Sequence, residues 1–147
     1  MDNIEVKEVS IEEAFKVHQN VLEFQEEPIS KEYLEERYKN LPHLIIVAYL
    51  NHMPVGYIIA YDKYKDKSLY CWMAGVDNKY RRIGVLTYLM DYQTSWAKKH
   101  GYNKIKIKTR NVRREMISFL VKNNFNFTSV EQKEFIIDNR INLEKNI

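Results

Sequence analysis

A basic, glycine-containing turn between an apolar strand and an amphipathic helix is the segment of this chain best suited to chemistry. It spans 81–86, reads Arg-Arg-Ile-Gly-Val-Leu, and follows the apolar run 70–76. A helix start leaves backbone N–H groups without partners and carries partial positive charge, so it attracts an anion. Gly84 allows close backbone approach, while Arg81 and Arg82 supply charge. The turn predicts a phosphate-binding loop, with an ordinary solvated helix start as the alternative interpretation.

The elements that must position this loop follow from the hydrophobic periodicity, which switches between strand and helix spacing along the chain. The predicted order is strand, two helices, three strands, helix, strand, helix and two strands. The predicted strands cover 4–9, 44–50, 55–61, 68–76, 104–109, 125–130 and 134–138, and the predicted helices cover 11–24, 30–41, 83–101 and 113–123.

Composition limits the classes of protein to which the chain can belong. A chain of 147 residues with 45% hydrophobic content can close one core, so we expect a single domain over 1–147. The start is polar, and no apolar run approaches the roughly 20 residues of a membrane span. These features predict a cytoplasmic protein that does not bind membranes.

Metal and nucleic-acid binding are not indicated by the residue types. A single cysteine, Cys71, excludes an internal disulfide framework and a cysteine-rich zinc site. The histidines lack ligand spacing, so no metal is predicted; they are His18, His43, His52 and His100. A net charge of +3 with 20 interleaved acids does not suggest general nucleic-acid binding.

With this order and this loop, the chain resembles the GNAT superfamily of acyl-coenzyme A N-acyltransferases. Residues 76–84 (VDNKYRRIG) match the family's strand end and its Arg/Gln-x-x-Gly-x-Gly/Ala loop, and 111–125 (NVRREMISFLVKNNF) resemble its asparagine-led helix ending in a Gly-Phe pair. The resemblance implies an α/β (α+β) fold, with a central mixed, mostly antiparallel sheet of about seven strands and about four flanking helices. It also implies acetyl-CoA as cosubstrate, without a metal.

The resemblance assigns the cofactor contacts to the loop, the strand before it and the last helix. Backbone N–H groups of 82–86 would bind the pyrophosphate, with a charge-assisted contact from Arg81 or Arg82. Backbone groups of the preceding strand would pair with pantetheine amides, beside a bulge at Gly75 that splays this strand from its neighbour. The implied cofactor-binding residues are Ala74, Val76, Arg81, Arg82, Ile83, Gly84, Val85, Leu86, Asn111, Phe119 and Lys122. Phe119 is alternatively a core residue, and Lys122 a solvated one.

The mechanism implied by the resemblance is direct attack of an amine on the thioester, with the oxyanion stabilised by a backbone N–H near Val76. The chain departs from the family pattern at three positions. Leu86 replaces a glycine or alanine, Asn124 replaces the glycine of the Gly-Phe pair, and Leu120 replaces the frequent tyrosine that protonates the thiolate. The general acid is therefore not identified, and Cys71 is interpreted as a buried hydrophobic residue.

The candidate general bases are the acidic residues at the end of the first predicted helix. Glu23, Glu26 and Glu27 are the candidates, and an ordinary solvated acidic patch is the alternative. These acids favour a cationic acceptor such as a polyamine, an aminoglycoside-like compound or a peptide amine. We therefore expect an N-acetyltransferase that acts on a primary amine of a small molecule or peptide.

Three further questions stay open at the level of sequence. The unfilled acid and base positions allow a non-catalytic acyl-CoA-binding module. A weaker alternative is a nucleic-acid-binding α/β domain that uses Lys104, Lys106, Lys108, Arg110, Arg113 and Arg114. The final segment, 139–147, could pack on the chain's own sheet or on that of a second copy, which leaves a homodimer open.

Overall fold

The alternating and apolar runs of the sequence form one sheet in the computed structural model, which describes residues 3–147. Within that range the strands are β1 (Ile4–Glu8), β2 (His43–Leu50), β3 (Met53–Tyr61), β4 (Ser68–Val76), β5 (Lys104–Arg110), β6 (Asn126–Glu131) and β7 (Arg140–Asn146). The helices are α1 (Ile11–His18), α2 (Lys31–Tyr38), α3 (Val85–Lys99) and α4 (Arg114–Lys122), with short 3-10 turns at Leu22–Gln25, Asn78–Tyr80 and Ile136–Asp138.

The sheet is mixed and mostly antiparallel, which confirms the predicted fold class. Its order is β1-β2-β3-β4-β5-β7-β6, and β4 and β5 are parallel while the other neighbours are antiparallel. Helix α3 is the crossover that a parallel pair requires. Apolar side chains cover both faces of the central strands, with α3 and α4 on one face and α1 and α2 on the other.

Two predicted elements near the acidic segment and the C-terminus are wrong. Helix α1 ends at His18 instead of 24, because Val21 leaves the helical path and is buried to 1% exposure against β4. The strand predicted at 134–138 lies at Arg140–Asn146 instead, and Ile136 is 72% exposed. The prediction followed the apolar run 134–138, whereas the actual strand contains the apolar–polar alternation of 141–144, with Leu143 buried to 1% exposure. Strand β7 lies between β5 and β6 of the chain's own sheet.

The predicted bulge at Gly75 is also wrong, and the glycine has a different structural role. Ile59 opposes Met73 while Ala60 opposes Cys71, so Trp72 is the extra residue of the bulge. Gly75 pairs regularly with Tyr57. A Cβ at Gly75 would lie 2.9 Å from Phe24 Cε2 and 3.0 Å from Val21 Cγ2. The glycine is needed because the Leu22–Gln25 turn packs directly on β4.

Gly75→Ala should therefore destabilise the fold. The added methyl group displaces Phe24 and Val21, and overpacking of this kind costs about 1–3 kcal/mol. Chemical denaturation should show a lower free energy of unfolding. Asn126→Ala, on the exposed edge strand, is the control and should change it by less than about 0.5 kcal/mol. An unchanged stability in Gly75→Ala would contradict this account of the turn.

Candidate active site

A cavity opens where β4 and β5 part. The two strands pair only over Ser68–Cys71 and Lys104–Ile107, and their separation begins beside the bulge at Trp72. The cavity has a volume of about 1070 Å³. Its walls are the loop before α3 and the first turn of that helix on one side and α4 on the other, with the end of β4 and β5 between them.

The first turn of α3 faces this cavity without a side-chain cap among residues 3–147. Gly84 is the N-cap residue, with a left-handed φ of 93° that favours glycine. Val85 and Leu86 line the cavity, whereas Ile83 lies outside its lining and is 43% exposed. The uncapped N–H groups and the positive end of a fifteen-residue helix form a seat for an anion. The helix begins at Val85, two residues later than predicted.

The two arginines of the loop point in different directions. Arg81 lies in the cavity wall, where its Nη2 donates to Glu23 Oε2 at 2.5 Å and its Nε donates to Val76 O at 3.2 Å. Arg82 Nη2 donates to Glu115 Oε1 at 2.9 Å, and its side chain is 84% exposed. Both reach the cavity, but Arg82 extends toward α4 and Arg81 toward the Leu22–Gln25 turn.

The opposite wall contains two of the three residues predicted for it. Phe119 and Lys122 line the cavity; Phe119 is half-buried and Lys122 is exposed. Asn111 lies outside the lining, because its Nδ2 donates to Ile136 O at 3.1 Å and its backbone N–H donates to Asn139 O at 2.8 Å. Asn111 thus stabilises the Ile136–Asp138 turn that precedes β7.

Backbone groups at the end of β4 face the gap between the strands. The N–H of Asp77 donates to Val55 O of β3 at 2.8 Å. Backbone groups of an antiparallel strand alternate in direction, so those of Val76 and Ala74 point away from β3. They have no β5 partner, because the pairing ends at Cys71. Apart from the Arg81 contact to Val76 O, this edge is available to a ligand with amide groups.

Glu23 is the one predicted acid that lines the cavity in the described part of the chain. Glu26 and Glu27 are exposed and lie outside the lining. Asn78 Nδ2 donates to Glu23 Oε1 at 3.3 Å, opposite the Arg81 contact. Partial burial raises the pKa of Glu23, but the hydrogen bonds from Arg81 and Asn78 and the Arg81 charge outweigh it, so the pKa lies below its ordinary value.

Sequence reasoning missed Arg113 and Asn78 as parts of this site. Arg113 Nη2 donates to Glu23 O at 3.1 Å, and its guanidinium lies 6.0 Å from the centre of the Phe24 ring. Burial and the neighbouring Arg110 lower the pKa of Arg113. Asn78 Oδ1 also accepts the N–H of Leu22 at 3.1 Å. Neither residue has a local sequence signature, since each acts on a turn more than fifty residues away.

The three departures from the family pattern differ in their structural consequences. Asn124 adopts a left-handed φ of 68°, which asparagine tolerates better than most residues. Leu86 lines the cavity. Leu120 is fully buried in the core beneath α4 and lies outside the cavity lining. A hydroxyl at that position would need a different side-chain direction to reach the cavity.

Cys71 lines the cavity but is 2% exposed. Burial raises its pKa to about 12, against a smaller lowering effect of its hydrogen bond with Gln93. Its thiol is therefore protonated at neutral pH, and a thiolate nucleophile is not available there.

Acidic partners accompany four of the six basic residues that suggested nucleic-acid binding. The pairs are Lys104 with Glu144 at 2.7 Å, Lys106 with Asp66 at 2.7 Å, Lys108 with Glu131 at 2.9 Å and Arg110 with Asp138 at 2.6 Å. These pairs remove most of the net charge on which that interpretation depended.

Neither a metal-ligand cluster nor a membrane-spanning helix occurs among residues 3–147. Histidine, cysteine and carboxylate side chains there do not gather in groups of three or more that could hold a metal ion. Every helix in the same range is too short or too polar to cross a membrane.

Three solved structures with the same fold are acetyltransferases, and two of them contain coenzyme A or acetyl-CoA. The ribosomal-protein-S18-alanine N-acetyltransferase from Escherichia coli has a TM-score of 0.81 at 16% identity, covering 100% of this chain and 94% of the other. The PaiA N-acetyltransferase from Thermoplasma acidophilum, in complex with coenzyme A, has a TM-score of 0.75 at 17% identity, covering 99% of each chain. A GNAT family acetyltransferase from Elizabethkingia anophelis with acetyl-CoA bound has a TM-score of 0.77 at 18% identity, covering 100% of each.

The TM-scores show a shared fold, and identities of 16–18% leave the substrate undecided. A comparison with curated protein sequences found no match. The family assignment rests on a different comparison, in which the model of the acetyltransferase (GNAT) family matches residues 11–125. Because that match covers well over half of the sequence, the chain belongs to the GNAT family of acetyltransferases.

Proposed function

We propose that the chain transfers an acetyl group from acetyl-CoA to a primary amine of a small molecule or peptide by direct attack. The observation that carries this proposal is the uncapped first turn of α3, which opens into the cavity between β4 and β5. An anion seat and an unpaired strand edge in one cavity suit a ligand with both phosphates and amides.

The pyrophosphate of the cofactor is assigned to the N–H groups of 82–86. Arg82 is suited to assist, because its exposed ion pair with Glu115 contributes little and is easily exchanged. The pantetheine arm would lie along β4 and pair with the backbone of Ala74 and Val76. Phe119 and Lys122 would cover the arm from α4.

The thioester would then lie near Val76, where the cofactor cavity meets the Leu22–Gln25 turn. The amine attacks the carbonyl carbon there, and a backbone N–H near Val76 is assigned to the developing oxyanion. Glu23 is the assigned base, because its carboxylate lines the same cavity. Holding the two substrates together supplies a large part of the rate.

Gly84→Glu should abolish cofactor binding. The new carboxylate would stand at the helix start that receives the pyrophosphate, and like charges in contact cost several kcal/mol. Isothermal titration of acetyl-CoA should show affinity reduced by more than about 100-fold. Gly101→Glu is a matched control: Gly101 has a φ of 84°, has open space around it and follows the other end of α3. Equal affinities in the two variants would contradict the assigned anion seat.

Cys71 should carry no acetyl group during the reaction. Its thiol is buried and protonated, so the native protein should resist iodoacetamide at neutral pH and remain unacetylated after incubation with acetyl-CoA. Intact-mass spectrometry measures both modifications, and the denatured protein is the positive control for alkylation. An acetyl thioester on Cys71 of the native protein would replace direct attack with a covalent mechanism.

A panel of amines tests the activity itself. The panel, supplied together with acetyl-CoA, contains polyamines, aminoglycosides and peptides with a free N-terminal or lysine amine. The measured quantity is the release of the coenzyme A thiol. We expect release that requires both an amine and the wild-type protein, and that is lost in Gly84→Glu. Cofactor binding without amine-dependent release from any member would favour a non-catalytic acyl-CoA-binding protein.

A further inference from the structure

The guanidinium of Arg81 joins the proposed base to the end of β4. It donates to Glu23 Oε2 at 2.5 Å and to Val76 O at 3.2 Å. The side chains of Arg81 and Glu23 are 27% and 30% exposed, so water reaches the pair and it can separate. A cation therefore already occupies the space between the assigned base and the strand end where the thioester would lie.

Arg81 also belongs to the loop assigned to the pyrophosphate. It is adjacent to Arg82 and three residues before Gly84, and it lines the same cavity. Two anions thus compete for one guanidinium: the Glu23 carboxylate now, and the pyrophosphate when the cofactor is present. A pyrophosphate carries more negative charge than one carboxylate and offers bidentate oxygens, which favours the exchange.

The groups around the guanidinium also suit an alkylammonium ion. Glu23 Oε2 and Val76 O are both acceptors, and a protonated primary amine has the charge and the N–H donors to replace Arg81 there. We propose that Arg81 is a displaceable occupant of the acceptor's ammonium subsite: cofactor binding draws Arg81 to the pyrophosphate, and the protonated amine takes its place beside Glu23 and Val76 O. This inference rests on the proposed function.

Glu23 keeps its position when Arg81 leaves. Its backbone carbonyl accepts from Arg113, its Oε1 accepts from Asn78, and the neighbouring Phe24 packs directly on Gly75. With the Arg81 charge removed, burial raises the pKa of Glu23 with less opposition. The ammonium then supplies the positive charge beside Glu23, and unlike the guanidinium it carries a proton that it can give up to the carboxylate.

The proton and electron balance of the step is complete without a further reactant. The ammonium gives one proton to Glu23, and the nitrogen lone pair forms the C–N bond at the thioester carbon. The C–S bond then breaks, and its electron pair leaves on sulfur. The nitrogen loses a second proton; the thiolate takes up one of the two protons, and the other is released to water.

Isothermal titration of acetyl-CoA tests the competition directly. Glu23→Gln frees Arg81 while keeping an oxygen for Asn78, so it should tighten binding about threefold to fivefold, as expected for a partly exposed ion pair. Arg81→Gln should weaken binding about tenfold, and adding Glu23→Gln to it should change nothing further. Glu144→Gln is a matched control, because the Lys104–Glu144 pair has exposures of 31% and 28% and lies outside the cavity lining.

The variants must also separate a positioning role from a purely structural one. With the amine of the panel that reacts fastest, Glu23→Gln should raise the acceptor KM about tenfold while acetyl-CoA binds more tightly. Structural damage to the Leu22–Gln25 turn would instead weaken the binding of both substrates. Thermal melting checks the fold, and Glu23→Asp, which shortens the reach to Arg81, should tighten binding in the same direction if Glu23→Gln fails to fold.

Two results would overturn the inference, and each differs from failure of the proposed function. Unchanged or weaker acetyl-CoA binding in Glu23→Gln would show that Glu23 does not compete with the pyrophosphate for Arg81. If Glu23→Gln still tightens binding in the Arg81→Gln background, the cation that Glu23 holds back is not Arg81. If the well-folded wild-type protein binds no acetyl-CoA, the proposed function fails and this inference fails with it.

Discussion

The early parting of β4 and β5 is the constraint on which the rest of the site depends. Parallel strands need a crossover, so α3 begins where β4 ends, and its N-terminus arrives at the gap. The bulge at Trp72 lies where the pairing stops, and it leaves the following β4 backbone facing a cavity instead of a strand. Backbone groups in such a position need partners. Topology thus brings an anion seat and an unpaired strand edge together before any side chain is considered.

Elements from the two faces of the sheet come into contact at the same gap. The α3 and α4 face carries the proposed cofactor site, and the α1 and α2 face carries the Leu22–Gln25 turn. Gly75 lets that turn lie close enough to β4 for Glu23 to meet Arg81. A partly exposed ion pair of this kind contributes little to stability. The position of the Arg81–Glu23 pair therefore matters more than its contribution to stability, because both proposed substrates would bind next to it.

Local patterns predicted most of the fold, and non-local packing decided what they could not. Strand alternation and the Gly84 loop are properties of a few adjacent residues, so they could be read directly. The end of α1 could not, since burial of Val21 against β4 outweighs continued helical spacing. That early end decides which acid faces the cavity, so Glu23, Glu26 and Glu27 were indistinguishable by sequence. The Arg81 contact crosses 58 residues and follows from tertiary structure alone.

The missing tyrosine is less serious for this chemistry than a missing base would be. A thiol has a pKa of about 8.5, so a thiolate leaves readily and can take its proton from solvent. An alkylamine has a pKa near that of lysine, about 10.4, so it arrives protonated and cannot attack until it loses a proton. Leu120 fills the core at the position of the family's frequent tyrosine, while Glu23 lines the cavity. On this argument amine acetylation would depend more on the base proposed at Glu23 than on an acid at position 120, where the buried leucine contributes to the core instead.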